Sequence, residues 1–282
     1  MSFPPLVGTA ALQHRLGDPA LVVLDASSYL PLSGRDARAE YLGGHIPGAR
    51  FFDLDLTSDR TTTLPHMMPL AGDFEEEARA LGVSAASEVV VYDGSGVNLS
   101  AARAWWMFRA FGHARVAVLD GGLGLWRAEG RPMDSAEVSP GPLGDFHAVL
   151  LPGRVRSLEE MRANLGIGAE QVVDARLAGR FRGRDPEPRP GLRGGHIPGA
   201  VSLPYTELVD GAGRLLPPET LRERLRAAGV DPGRPVVATC GSGTSACAVL
   251  LALEVIGAPP GALYDGSWSE WGARDDLPVK RA

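Results

Sequence analysis

Pro235-Val236-Val237-Ala238-Thr239-Cys240-Gly241-Ser242-Gly243-Thr244-Ser245-Ala246 decides the fold of this 282-residue chain. A short apolar run ends at Cys240, a glycine-containing turn follows, and an apolar run from Ala246 to Ile256 is long enough for a helix. Strand, tight loop and helix in that order leave successive backbone N–H groups pointing inward around one atom. A cysteine in that position is favoured as its thiolate, the nucleophilic form. The loop has no charged side chain, so backbone N–H groups and hydroxyls must stabilise an anion there. A buried cysteine at the end of a core strand is the plainer reading of the residue taken alone.

The pattern is written twice. Val89-Val90-Val91-Tyr92-Asp93-Gly94-Ser95-Gly96 aligns with Val236 to Gly243, and Gly43-Gly44-His45-Ile46-Pro47-Gly48-Ala49 recurs as Gly194 to Ala200. Leu21 to Ala26 matches Gln171 to Arg176, and Val118-Leu119-Asp120-Gly121-Gly122 matches Leu263-Tyr264-Asp265-Gly266-Ser267. Four landmarks in one order, offset by about half the chain, imply two homologous domains. In each, short Val/Leu strands alternate with longer helical segments such as Leu99 to Phe111 and Glu219 to Ala228. The expected class is α/β, each domain a mainly parallel sheet with helices on both faces. The expected boundaries are 1–134 for the first domain, 135–154 for a Pro/Gly-rich linker lying on the surface, and 155–282 for the second.

Asp93 stands where the second half has Cys240, and a carboxylate cannot carry a transferable sulfur. The first domain is therefore expected to lack this chemistry and to furnish one wall of a cleft at the domain interface. His45 and His196 occur in both halves, including the one without the cysteine, which marks them as structural turn residues.

Composition narrows the function. A hydrophobic fraction of 44% with 22% charged residues is that of a globular protein, and a net charge of -6 points to no nucleic-acid or anionic-membrane partner. Two cysteines form neither a disulfide framework nor a zinc site and suit a reducing compartment, with Cys247 expected as a buried helix residue. The start lacks the basic and apolar segments of a secretory signal and no apolar run reaches membrane-spanning length, so a cytoplasmic location is expected. No metal or organic cofactor is called for.

A basic loop, Gly179-Arg180-Phe181-Arg182-Gly183-Arg184-Asp185-Pro186-Glu187-Pro188-Arg189-Pro190-Gly191, separates Asp174-Ala175-Arg176 from Gly194-Gly195-His196. The first-half counterpart, Leu30 to Arg38, is shorter and less basic. The residues leave two readings open: a solvated basic face, or arginines stiffened by prolines and aimed at a small anion. A guanidinium grips a carboxylate as a bidentate fork, which suits an alpha-keto acid.

Cys240-Gly241-Ser242-Gly243-Thr244-Ser245-Ala246, Gly179-Arg180-Phe181-Arg182-Gly183 with Pro186-Glu187-Pro188-Arg189, the doubled Gly-His-Ile-Pro-Gly and Tyr264-Asp265-Gly266-Ser267-Trp268 together resemble the two-domain rhodanese family. The resemblance runs from about Leu6 to Leu277 and is nearest to the branch that uses 3-mercaptopyruvate. It implies tandem rhodanese-like domains of which only the second is catalytic, with Cys240 alternating between thiolate and persulfide. It further implies carboxylate binding by Arg180 and Arg189, a cradle of Gly241, Gly243, Thr244, Ser245 and Ala246, and a serine-protease-like trio of Ser242, His66 and Asp55. Implied donors are 3-mercaptopyruvate or thiosulfate, and implied acceptors a small thiol, thioredoxin or cyanide. The thiosulfate-preferring branch has Cys-Arg-Lys-Gly in the loop, whereas this chain has the uncharged Cys240-Gly241-Ser242-Gly243, which favours mercaptopyruvate. A phosphatase with a Cys-x5-Arg loop would need arginine at Ala246.

Overall fold

Each matched Val/Leu run forms a strand, and the two halves fold alike. The structure, a computed structural model, describes residues 3–30, 33–135, 138 and 141–281. Pro31 and Leu32 of the first-half counterpart loop, and Ala136, Glu137, Ser139 and Pro140 of the expected linker, lie outside the described residues. The chain divides into two compact units. Unit 1 comprises residues 1–59, 69–151 and 210–215, and unit 2 comprises 60–68, 152–209 and 216–282.

Unit 1 has strands β1 (Leu6–Val7), β2 (Leu21–Asp25), β3 (Arg50–Phe51), β4 (Glu88–Tyr92) and β5 (Val116–Leu119) in the order β1-β5-β4-β2-β3, all pairs parallel. Its helices are α1 (Thr9–Arg15), α2 (Ala37–Gly43), α3 (Ala71–Ala80), α4 (Leu99–Ala110) and α5 (Gly122–Ala128). Unit 2 repeats the plan with β6 (Val155–Arg156), β7 (Gln171–Asp174), β8 (Val201–Ser202), β9 (Val236–Thr239) and β10 (Ala262–Tyr264) in the order β6-β10-β9-β7-β8, again parallel throughout. Its helices are α6 (Leu158–Ile167), α7 (Ala178–Phe181), α8 (Pro218–Ala227), α9 (Ala246–Val255) and α10 (Ser267–Trp271). Helices cover both faces of each sheet, so central strands such as β4 and β9 bury consecutive residues, Val89 to Tyr92 and Val236 to Thr239, rather than alternate ones. The helix α9 is apolar on all sides, and it is buried from Ala246 to Leu253.

The registers repeat as well: Asp25 pairs with Tyr92 in unit 1, and Asp174 with Thr239 in unit 2. The two turn histidines also do the same work. His45 Nδ1 donates to the Tyr41 carbonyl at 2.7 Å and its ring stacks on Tyr41, while His196 Nδ1 donates to the Phe181 carbonyl at 2.9 Å and stacks on Phe181. Each is tied by a backbone bridge to a residue near the end of its own unit's fold, His45 to Asp134 and His196 to Lys280. Burial lowers the pKa of His196 below the ordinary histidine value, in keeping with a neutral packing role.

The stretch from Gly141 to Leu151 is strapped to unit 1. Gly144 N–H donates to Arg79 O, Phe146 N–H to Val83 O and Leu151 N–H to Ala110 O, and the buried Phe146 ring meets Phe74, Phe108 and His113. A Cβ at Gly144 would lie 1.9 Å from the Val83 carbonyl oxygen, a backbone atom that cannot swing aside. Gly144→Ala is expected to cost about 1–3 kcal/mol, the usual range for overpacking. A urea midpoint equal to that of the wild type would show that the strap yields without cost.

Candidate active site

Cys240 follows β9 directly and is 2% exposed. The loop after it is held by one hydroxyl. Ser267 Oγ accepts from the N–H of Cys240 at 3.2 Å and of Gly243 at 3.1 Å, and donates to the Tyr264 carbonyl at 2.8 Å. The carbonyls on the other side are also taken: Trp268 N–H donates to Cys240 O, and both the N–H and Oγ of Ser269 donate to Gly241 O. Of the N–H groups expected to face a bound anion, that of Gly243 is thus engaged by Ser267. Those of Gly241, Ser242, Thr244, Ser245 and Ala246 have no acceptor among the described residues. Cys247, buried in α9, directs its thiol to Gly243 O at 3.2 Å.

His66 belongs to the 60–68 segment of unit 2. Its Nδ1 lies 3.0 Å from Ser242 Oγ and 3.2 Å from Thr244 Oγ1, and its backbone is left-handed with φ of 59°. Thr244, expected only as a cradle residue, is therefore a second hydroxyl partner of the imidazole. Asp55 is an exposed residue of unit 1 in the turn after β3, where its N–H donates to Asp53 Oδ1 at 3.1 Å.

Arg180, in α7, places its guanidinium beside the cysteine loop: a Cβ built on Gly241 would come to 3.0 Å from Arg180 Nη2. Arg180 is not an open fork. Its Nε and Nη2 donate to Glu187 Oε2 at 3.1 and 2.5 Å. The other Glu187 oxygen accepts from Arg176 Nη1 at 2.7 Å, and Arg176 Nη2 reaches Asp174 Oδ2, also at 2.7 Å. Arg176 is wholly buried with its guanidinium 4.2 Å above the Trp268 ring. Burial acts against its charge, but the Asp174 and Glu187 carboxylates more than offset this, and its pKa is raised. Arg189 is half-buried in the same loop. Glu187 and Arg180 of the basic loop thus continue a buried charge chain from Asp174 and Arg176 to the cysteine loop, while Arg182 and Arg184 of the same loop are exposed. Glu187, Arg176 and Ser267 lie inside motifs visible in the sequence, yet only their tertiary partners reveal what they do.

In unit 1 the matching loop is already filled. Asp93, fully buried, accepts from the N–H and Oγ of Ser95 through one oxygen and from Ser100 Oγ and Ala101 N–H through the other. Its own carboxylate takes the anion position at the start of α4.

The model of the Rhodanese-like domain matches residues 9–129 and again 157–274. The chain belongs to the rhodanese-like family. It is 49% identical over 266 residues to the 3-mercaptopyruvate sulfurtransferase of Homo sapiens, covering 94% of this chain and 89% of that one. It is 43% identical to the 3-mercaptopyruvate sulfurtransferase of Escherichia coli K12, covering 99% of each. Among solved structures, the Tum1 protein from Saccharomyces cerevisiae superposes with a TM-score of 0.89 at 32% identity, over 100% of both chains. This rhodanese-like chain is a sulfurtransferase that passes sulfane sulfur through a cysteine persulfide. No helix among its described residues is long and apolar enough to cross a membrane.

Glu187→Gln removes the shared charge between Arg176 and Arg180 and leaves a buried guanidinium with one carboxylate fewer. The expected loss is about 3 kcal/mol of stability, the scale for breaking a buried ion pair from one side. Urea denaturation checks it, and a loss within error of zero would show that Asp174 suffices for Arg176.

Proposed function

We propose that the chain takes sulfur from 3-mercaptopyruvate onto Cys240 and delivers it to a thiol, releasing pyruvate. The observation that carries this reading is the loop at Cys240. It is uncharged and has five N–H groups without an acceptor among the described residues, with the His66 imidazole on its hydroxyls and the Arg180 guanidinium beside it. Two relatives with high identity over most of their length bear the name of that activity.

The thiolate of Cys240 attacks the sulfur of 3-mercaptopyruvate, whose carboxylate is held by Arg180 and Arg189. The carbon–sulfur bond breaks, and its electron pair stays on carbon as the enolate of pyruvate. A proton then reaches that carbon through Ser242, whose hydroxyl His66 supports as donor or acceptor. Asp55 is assigned to hold the imidazole, as the carboxylate does in a serine-protease trio. The N–H groups of Gly241, Ser242, Thr244, Ser245 and Ala246 stabilise the outer persulfide sulfur. Gly243 contributes the turn rather than a donor, since its N–H is bound to Ser267 and its φ is 76°. An acceptor thiolate, from a small thiol or thioredoxin, then attacks the outer sulfur and restores Cys240; cyanide serves the same step in an assay. A reducing compartment such as the cytoplasm suits a reaction that needs Cys240 as a free thiol.

Treatment with mercaptopyruvate in the absence of acceptor is expected to add about 32 Da, one sulfur atom, to the peptide containing Cys240, at Cys240 rather than Cys247. Turnover retained by Cys240→Ser, or sulfur found mainly on Cys247, would overturn the assignment.

Arg180→Ala and Arg189→Ala are each expected to lower kcat/KM for mercaptopyruvate by about 10- to 100-fold, the scale of a charge-assisted contact to substrate. The wild type is expected to prefer mercaptopyruvate to thiosulfate under one acceptor and pH, because the uncharged Gly241-Ser242-Gly243 segment adds no cation at the cysteine for a dianion. A wild-type preference for thiosulfate would make that the physiological donor and leave the persulfide chemistry in place.

A further inference from the structure

The turn between β10 and α10 carries two anchors two residues apart, and they act on different parts of the site. Ser267 holds the cysteine loop. Two residues earlier, Asp265 is 2% exposed and its Oδ2 accepts the N–H of Met68 at 2.6 Å. Met68 is two residues beyond His66 and ends the short segment that belongs to unit 2.

His66 needs such an anchor. A β-carbon-bearing residue at φ 59° is held there only when its surroundings over-determine it. On the side-chain end Ser242 and Thr244 fix the imidazole. On the backbone end the short, charge-assisted bond from Met68 to Asp265 fixes the chain. The device also occurs in unit 1, where Asp120, at the duplicate position, accepts the N–H of Leu215 at 2.8 Å from the inserted 210–215 segment. There the residue matching Ser267 is Gly122, which has no hydroxyl. Segment anchoring therefore occurs in both units, but only in unit 2 does the same turn also hold a cysteine loop.

We propose that Asp265 is a positioning residue for the sulfur-transfer reaction: by accepting the Met68 N–H it holds His66 at hydrogen-bond distance from Ser242 and Thr244. This rests on the reading of His66 as the group that supports Ser242 in proton handling. Catalysis is sensitive to such placement because proton transfer needs direct or one-water reach.

The test combines amide exchange with a mutant cycle on the full chain. In Asp265→Ala the Met68 amide is expected to exchange at least about tenfold faster, as a lost hydrogen bond opens a local segment, while β9 amides keep their protection. Pyruvate formation from mercaptopyruvate should fall about tenfold in kcat with little change in KM, since the substrate contacts remain. Asp265→Asn, which keeps a carbonyl acceptor of the same size, should recover most of that rate and of the Met68 protection. In a His66→Ala background Asp265→Ala should cost less than about twofold, because both changes act through one group. Unchanged Met68 exchange, or an equal cost of Asp265→Ala with and without His66, would overturn the proposal. If His66→Ala alone leaves pyruvate formation unchanged, the proton-handling reading fails instead, and Met68 exchange still decides whether Asp265 holds the segment. Should Asp265→Ala fail to fold, Asp265→Asn carries the exchange and cycle measurements, with a smaller expected loss in the same direction.

Discussion

The hydroxyl of Ser267 is the constraint on which the cysteine loop of unit 2 depends. It accepts two N–H groups of the cysteine loop while donating to Tyr264, so the loop, the end of β10 and the start of α10 are joined at one oxygen. Ser267 sits at φ of 51°, a left-handed conformation that costs a non-glycine residue about 1–2 kcal/mol. The hydrogen bonds of its hydroxyl, to Cys240, Gly243, Tyr264 and Thr239, contribute about 0.5–1.5 kcal/mol each and offset that cost. Unit 1 has Gly122 at the same place with φ of 55°, so the backbone needs this turn in both units. The hydroxyl is added only where a cysteine has to be held.

The two units show what separates a filled anion site from an available one. In unit 1 the Asp93 carboxylate takes up two N–H groups and two hydroxyls, which leaves no place for a transferred sulfur. In unit 2 the shorter cysteine side chain leaves the N–H groups of Gly241, Ser242, Thr244, Ser245 and Ala246 without an acceptor among the described residues. The same strand-loop-helix frame is thereby stabilised from within in one case and kept for a covalent intermediate in the other.

The arginine at the cysteine loop depends on a chain of charges running into the core. Asp174 and Glu187 flank the buried Arg176, and Glu187 passes its second oxygen to Arg180. Buried guanidinium is tolerable only with such partners, and stacking on Trp268 adds to them. Pairing with Glu187 also restrains Arg180 beside Gly241, so its guanidinium is held in place rather than left as a free side chain.

Much of this was legible in the sequence. The duplicated Val/Leu runs and Gly-His-Ile-Pro-Gly segments implied two parallel-sheet domains, because a strand buried on both faces must be apolar throughout and the repeat supplies the same order twice. Cys240 at the end of an apolar run and before a second one, with Asp93 as its duplicate, marked the strand-loop-helix turn that the chain forms there. Hydrogen-bond partners were not legible, since they join residues far apart in the chain. Spacing cannot show that Ser267 would take the N–H groups of Cys240 and Gly243, that Thr244 would share the His66 imidazole, or that Glu187 would stand between two arginines. Nor could it show that residues 60–68 and 210–215 would each pack into the unit of the opposite repeat, tied there by Asp265 and Asp120. Local sequence determines which segments become strands, turns and helices through periodicity and backbone preference. Which polar group meets which is decided only when the packed sheet brings the ends of its strands together and every buried donor and acceptor must find a partner.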